Sequence, residues 1–387
     1  MPRLPRVAAT TSTLSTAVFS QLASRAAALQ AQGRTIHPLH VGDTWMEPPV
    51  EARAESQRTD EHPGLHQYAP VQGMPVLLDA IERRLARLGR AVPRERLQVV
   101  NGATSGLSIV AEALLDPGDE VLLPSPFWPL IRGILAKRGA VPVQIPFWDR
   151  LDSIDVEATL EAAITPRTAA IYVNSPHNPT GRVLTTTHLD AIARVALRHD
   201  LWVIADEAYQ DLSFLEPSPS IWTRDDLQDR YVASHTLSKS YGLAGARIGY
   251  VHGAATAMAA IAAVQVYSTY CAPRPMQLGA ARVLDGGDAF LAKRREEFAE
   301  AGRRTADVLG VPHPEGGTFL FVDASPWLPH DAADAMPFLE RALEEGVQLT
   351  PGASCGDQYA RFVRVCFTSL PLDVHDRALD ALRRALG

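Results

Sequence analysis

The stretch YVASHTLSKSYGLAGARIGYV (231–251) sets two apolar runs, YVASH (231–235) and RIGYV (247–251), around a small-residue turn rich in hydroxyls and glycine that carries Lys239. Working back from it, short apolar runs recur at LQVV (97–100), VLL (121–123), VPVQI (141–145), AAIYV (169–173) and LWVIA (201–205), with longer amphipathic segments between them. Fully apolar strands alternating with helical segments predict an α/β fold. Its large domain carries a mostly parallel sheet covered by helices on both faces, and functional residues gather at the strands' C-terminal ends.

Outward from this region, TLSTAVFSQLASRAAALQAQ (13–32) reads as a helix stopped by Gly33. From Phe290 a charged helix, FLAKRREEFAEAGRRTADVLG, leads into strand-like TFLFVDA and RFVRVCFTS around a further helix, an α+β pattern. The expected division is residues 1–45 as an N-terminal segment joining a smaller domain, 46–290 as the large domain and 291–387 as the smaller C-terminal domain. At 387 residues the chain exceeds what one core usually supports, which agrees with two domains.

A charged fraction of 21% against 46% hydrophobic excludes disorder and coiled coil, and a net charge of −7 without basic blocks argues against nucleic acid as a partner. Residues 253–273 are uncharged, but Ala, Thr, Ser and Gln265 make them too weakly apolar for a membrane span, so a buried helix is expected. Cys271, Cys355 and Cys366 are scattered, with no metal-ligand spacing, and read as reduced packing residues; no metal is expected. The opening MPRLPR lacks the apolar core of a secretory signal, and the expected location is cytoplasmic.

Only three lysines, Lys137, Lys239 and Lys293, stand among 37 basic residues. A guanidinium stays protonated, whereas a lysine amine can be tuned to attack a carbonyl, so a lysine retained in an arginine-rich chain points to amine chemistry. Lys239, in its glycine- and hydroxyl-rich turn, is the candidate; a solvated loop lysine is the plainer reading.

SKSYGLAGARIGY (238–250) resembles the lysine signature of the class I/II aminotransferases, the fold-type I pyridoxal-5'-phosphate (PLP) enzymes of the aspartate aminotransferase kind. NSPHNPTG (174–181), ADEAY (205–209) and FVRVCF (362–367) match the same family in the same order. The resemblance implies that Lys239 holds PLP as a Schiff base. It implies that Asp206 pairs with the pyridine nitrogen, an acidic partner favouring the protonated ring that serves as electron sink, and that Asn178 and Tyr209 bond its phenolic oxygen. The phosphate would lie on the turn Asn101, Gly102, Ala103, Thr104 and Ser105 at a helix start, with Ser238 and Arg247. Trp128 in PSPFWPLI (124–131) would stack on the ring, with Phe127 the alternative one residue away. Tyr68 in HQYAPVQG (66–73) would cross to the other subunit's phosphate, making a homodimer. Arg364, Asn178 and Gly42 would bind the substrate carboxylate.

Each residue has a blander reading: a helix-capping Asp206, a plain turn at Asn178-Pro179, a surface Arg247, aromatic core packing, a local turn at Tyr68, a solvent-facing Arg364. The segment GDTWMEPP (42–49) departs from the GEPDF of many relatives, which leaves substrate identity open.

By resemblance, an amino acid displaces Lys239, whose freed amine moves the Cα proton to C4' of the cofactor. The amino group then passes by way of pyridoxamine phosphate to a 2-oxo acid. Val264 or Gln265 stands near the place where dicarboxylate-specific relatives carry an arginine, with Arg274 offset, so the expected donor is neutral, aromatic or sulfur-containing. PLP-dependent lyases, decarboxylases and amino-acid oxidases share the scaffold and are the alternative. A PLP-binding regulator ranks last, because the chain has no basic helix pair for a DNA-binding domain.

Overall fold

The computed structural model describes residues 8–11, 14, 22–216 and 218–387. The MPRLPR opening lies outside the described residues, as do 13 and 15–21 of the helix expected over 13–32. The described part of that helix is Ala23–Ala31, and Gly33 beyond it takes φ +83°.

In chain order the strands are β1 (His37–Pro38), β2 (Leu97–Val100), β3 (Glu120–Ser125), β4 (Val141–Pro146), β5 (Thr168–Asn174), β6 (Trp202–Asp206), β7 (Tyr231–Thr236), β8 (Gly249–Gly253), β9 (Phe319–Asp323), β10 (Val347–Gln348), β11 (Thr350–Pro351) and β12 (Phe362–Cys366). The main sheet has the order β2-β8-β7-β6-β5-β3-β4. Its pairs are parallel from β4 through β7, and β8 is antiparallel to both β7 and β2. Every apolar run expected as a strand in this region is one. Along them, alternate residues enter two separate cores: Val121, Leu123, Tyr172, Ile204 and Val232 pack with helices 102–114, 129–138 and 255–268. Leu122, Ile171, Val173, Val203 and Ala233 pack with helices 75–87, 186–198 and 274–286. Burial on both faces explains why the strands read as unbroken apolar runs.

Local signals set the helix ends. Pro75 opens Pro75–Arg87, Thr185 and His188 form a capping box before Thr186–Arg198, and left-handed Gly139 and Gly310 follow Pro129–Arg138 and Asp288–Leu309. Two expectations change. Strand β8 begins at Gly249 rather than Arg247, because Arg247 takes a left-handed φ of +55°, and a side chain at 249 would strike the His235 carbonyl. The uncharged segment 253–273 gives helix Ala255–Ser268, which buries only Ala257, Met258, Ile261 and Gln265 and leaves Tyr267 93% exposed. Alanines need only one row of contact with helix 102–114, so the far side stays open. Among the described residues no helix is long and apolar enough to cross a membrane.

The C-terminal residues form the small sheet β11-β12-β9, with β12 central and antiparallel to both neighbours. Strand β1 pairs in parallel with β10, which ties the N-terminal segment to this end of the molecule.

Between β7 and β8, on the face away from helix 102–114, His235 Nε2 lies 2.9 Å from His252 Nε2, and Tyr231 Oη lies 3.2 Å from His252 Nδ1. Burial pulls His235 down to about 3, with Arg84 adding, and pulls His252 well below the usual imidazole range. Depressed imidazoles contribute stability above the unfolded value of 6.5 that is lost as pH falls toward the folded value. Lowering the pH from 7 to 5 should cost about 2 kcal/mol through His235, with His252 adding a loss of the same sign. Melting curves of His252→Gln should show a shallower loss over that window; an unchanged slope would refute the account.

Candidate active site

The C-terminal ends of β5, β6 and β7, the turn after β3, the start of helix Gly102–Leu114 and strands β9 and β12 enclose one cavity of about 370 Å³. It opens where β5 and β3 part company, the switch point at which open parallel sheets form crevices.

Asp206 ends β6 at the cavity floor, 5% exposed. Its Oδ2 accepts the Tyr172 hydroxyl at 2.6 Å and its Oδ1 accepts the Ala208 N–H at 3.2 Å. Burial raises its pKa to about 6 against the pull of these two bonds. Asn174 Nδ2 donates to the Asp206 carbonyl at 2.8 Å, and Asn174 Oδ1 accepts the Asn178 N–H at 2.9 Å. Asn178 in turn donates to Tyr209 Oη at 3.3 Å and accepts from Arg364 Nη1 at 3.2 Å. Arg364 Nη2 donates to the His40 carbonyl at 3.2 Å, and its guanidinium lies 4.2 Å from the centre of the Phe319 ring. Tyr209 is raised, by burial first with Arg364 opposing, so it stays a phenol. His40 is pulled down to about 4 by burial and by Arg364, and is neutral at pH 7.

Lys239 stands above this floor and donates from Nζ to the Gly42 carbonyl. Burial pulls its pKa down, Arg364 and Arg247 add to this, and Asp43 and Cys366 oppose it. The result is an amine more readily neutral than a surface lysine, the condition for nucleophilic and base chemistry.

The other end suits an anion. Helix Gly102–Leu114 starts without a side-chain cap, Asn101 Oδ1 is buried without a partner, and Ala103 and Thr104 line the cavity. Ser238 Oγ lies 2.8 Å from Thr236 Oγ1. The left-handed turn at Arg247 points its guanidinium to the Asn101 and Ala244 carbonyls, at 3.1 and 2.9 Å. Gly102, at φ +78°, lies beneath it; a Cβ there would approach Arg247 Nη2 to 2.7 Å. Open amides, a hydroxyl and a fork-shaped cation converge on one spot.

Of the residues singled out in the sequence, Gly42, Ala103, Thr104, Trp128, Asn178, Asp206, Tyr209, Ser238, Lys239, Arg247 and Arg364 all line the cavity, with Gly102 just behind. Trp128 faces it, whereas Phe127 is fully buried among Leu123 and Ile131. Tyr68 stands apart: 80% exposed, edge-on to Tyr270 at 5.0 Å, in a second cleft lined by 65–69, 269 and 271–275. Sequence reading missed His40, Leu107, Tyr172, Asn174, Thr236 and Phe319. Asn174 and Thr236 sit inside the quoted motifs, and a tyrosine in the aliphatic run AAIYV was a signal for Tyr172. Phe319 gave none. Among the described residues no cluster suits a metal ion.

A raised buried carboxylate carries stability below its unfolded pKa of 3.8 that is lost as pH rises through about 6. In cofactor-free protein, Asp206→Asn should therefore raise stability at pH 8 by about 2–3 kcal/mol and have little effect at pH 4. Equal effects at both pH values in melting experiments would contradict the charged, desolvated state assigned to Asp206.

The family described as aminotransferase class I and II matches residues 35–382. An arginine–pyruvate transaminase of Pseudomonas aeruginosa is 33% identical over 357 residues, 88% of each chain. An aspartate/prephenate aminotransferase of Thermus thermophilus is 30% identical over 384 residues, 94% of each. Among solved structures, a double mutant of Thermus thermophilus aspartate aminotransferase superposes with a TM-score of 0.91 at 27% identity, covering 99% of this chain and 100% of that one.

Proposed function

Because this chain belongs to the class I and II aminotransferases and is a PLP-dependent aminotransferase acting on amino and 2-oxo acids, we propose that its cavity binds PLP through Lys239 and takes its amino group from a neutral, aromatic or sulfur-containing L-amino acid. The observation that carries this reading is the meeting, in one cavity, of a depressed lysine amine, a buried carboxylate and an anion seat.

The residues present fit the cofactor. The uncapped amides of Ala103 and Thr104, the Ser238 hydroxyl and Arg247 would hold the phosphate, and Gly102 keeps that seat clear of a side chain. Asp206 would face the pyridine nitrogen, Asn178 and Tyr209 the phenolic oxygen, and Trp128 the ring face. When bound, PLP supplies an electron sink for the bonds at the substrate's Cα.

The chain's own groups do the rest. Arg364 offers a planar fork for the α-carboxylate, with Asn178 and the Gly42 backbone beside it, and Phe319 beneath the guanidinium limits its freedom. Lys239 Nζ, held near Gly42 and disposed to neutrality, would take the proton from Cα as general base and, as general acid, deliver it to C4' of the bound cofactor. Trp128, Tyr209 and Phe319 give the cavity aromatic walls.

The charged side chains lining the cavity, among the described residues, are Asp206, Lys239, Arg247 and Arg364, each already engaged. Among the described residues of this chain no further cation lines the cavity for a side-chain carboxylate: Gln265 is buried, and Arg274 turns back to the Tyr68 carbonyl at 3.4 Å. Tyr68, Tyr267 and Tyr270 form an exposed aromatic patch, which supports a homodimer with Tyr68 reaching the partner's phosphate site. The cavity joins residues of 46–290 to Gly42, Phe319 and Arg364 from outside that range, as expected of a large and a smaller domain meeting at the site. Three free thiols suit the reducing cytoplasm.

Borohydride treatment of the PLP-loaded protein should attach the cofactor to the Lys239 peptide, read by mass spectrometry, and Lys239→Arg should fold but lose about 10³-fold or more of its turnover. Attachment elsewhere, or an active Arg variant, would refute the assignment. In a donor panel with pyruvate and 2-oxoglutarate as acceptors, keto-acid formation should favour methionine, phenylalanine or a kindred neutral donor; aspartate or arginine winning decisively would overturn the substrate reading.

A further inference from the structure

The pyridine-facing role proposed for Asp206 leaves one fully engaged neighbour without a task. Tyr172 belongs to β5, 2% exposed, two residues before Asn174 on the same face. Its neighbours along that face, Ala170 below and Ile204 across on β6, are apolar, and helix 102–114 covers the layer. A phenol placed there needs a hydrogen-bond partner, and the one it has is Asp206 Oδ2 at 2.6 Å.

We propose that Tyr172 is a positioning residue of the active site, whose hydroxyl, donated to Asp206 from beneath the cavity floor, holds that carboxylate ionised and turned toward the bound cofactor. The inference rests on the placement of Asp206 given above.

Desolvation alone drives Asp206 toward its neutral form, and a neutral carboxyl cannot hold a pyridinium proton by charge. The bonds that oppose this are the Tyr172 hydroxyl first and the Ala208 amide second. Burial and the facing carboxylate push Tyr172 itself well above the usual phenol range, so it remains a donor at every working pH. With Oδ1 turned to Ala208, Oδ2 to Tyr172, and Asn174 holding the backbone carbonyl, the carboxylate plane has little freedom.

The other titratable and charged groups around Asp206 are few. Glu207 follows it on the opposite face, bonded to Ser220; Tyr209 lies in the next turn; Lys239, Arg247 and Arg364 line the cavity from later segments. On the covering helix the single charged residue, Glu112, is exposed, and β7 offers only Ser234 and Thr236 to this side.

The test compares wild type, Tyr172→Phe, Asp206→Asn and the double variant, each loaded with PLP, reading cofactor affinity by spectroscopic titration across pH together with the pH profile of turnover. Tyr172→Phe should weaken PLP binding by about tenfold and shift the acid limb of both profiles up by about one pH unit, while circular dichroism shows a folded protein. In the Asp206→Asn background the same change should do nothing further, because its only target is gone. A Tyr172→Phe enzyme with unmoved limbs and a lowered melting temperature would reduce Tyr172 to packing, and an equal effect in the Asp206→Asn background would likewise overturn the proposal. If Asp206→Asn alone leaves PLP affinity and its pH dependence unchanged, the placement of Asp206 fails and takes this inference with it.

Discussion

A run of hydrogen bonds joins two sheets at the centre of this molecule: Tyr172 to Asp206, Asp206 to Asn174, Asn174 to Asn178, and Asn178 to Arg364. The first four residues lie at the ends of adjacent parallel strands or in the turn just beyond, and Arg364 sits on the middle strand of the small C-terminal sheet. Buried polar groups are costly unless each finds a partner, so the position of one member constrains the next. Arg364 cannot shift without disturbing Asn178, and Asn178 cannot shift without disturbing the loop that follows β5. Polar satisfaction therefore fixes the positions of these five residues around the cavity.

Electrostatics divides the same space. Three cations, Lys239, Arg247 and Arg364, share the cavity with one carboxylate. Mutual repulsion and burial leave the lysine as the one among them that can give up its proton, since a guanidinium holds its own in any protein environment. An arginine-rich chain that keeps a lysine here sets two guanidiniums, which stay protonated, beside one amine that can be neutral. The price is a desolvated carboxylate whose pKa burial raises to about 6, a familiar cost of preorganised sites.

The fold was legible to a large degree because strands buried on both faces leave unbroken apolar runs, and those runs are visible without contacts. The exceptions are instructive. Helix Ala255–Ser268 was expected to be buried because it is uncharged, yet composition cannot say how many sides of an alanine-rich helix find neighbours. Strand β8 starts two residues after the apolar run does because left-handed Arg247 has no side-chain signature; the constraint comes from Gly249 pressing against β7.

What the sequence alone determined is the chemistry's vocabulary: Lys239 in its glycine-rich turn, Asp206 closing an apolar strand, NPTG after the strand before it, and an α/β order that sends such residues to one end of a sheet. Those signals are local, carried within a few residues of backbone. The tertiary structure decided what lies across long sequence separations: Trp128 rather than Phe127 at the cavity, Phe319 beneath Arg364, the Gly42 carbonyl against Lys239, and Tyr172 beneath Asp206. Such contacts depend on strand order, face and register, which pairing between distant segments fixes and which no single stretch of chain encodes.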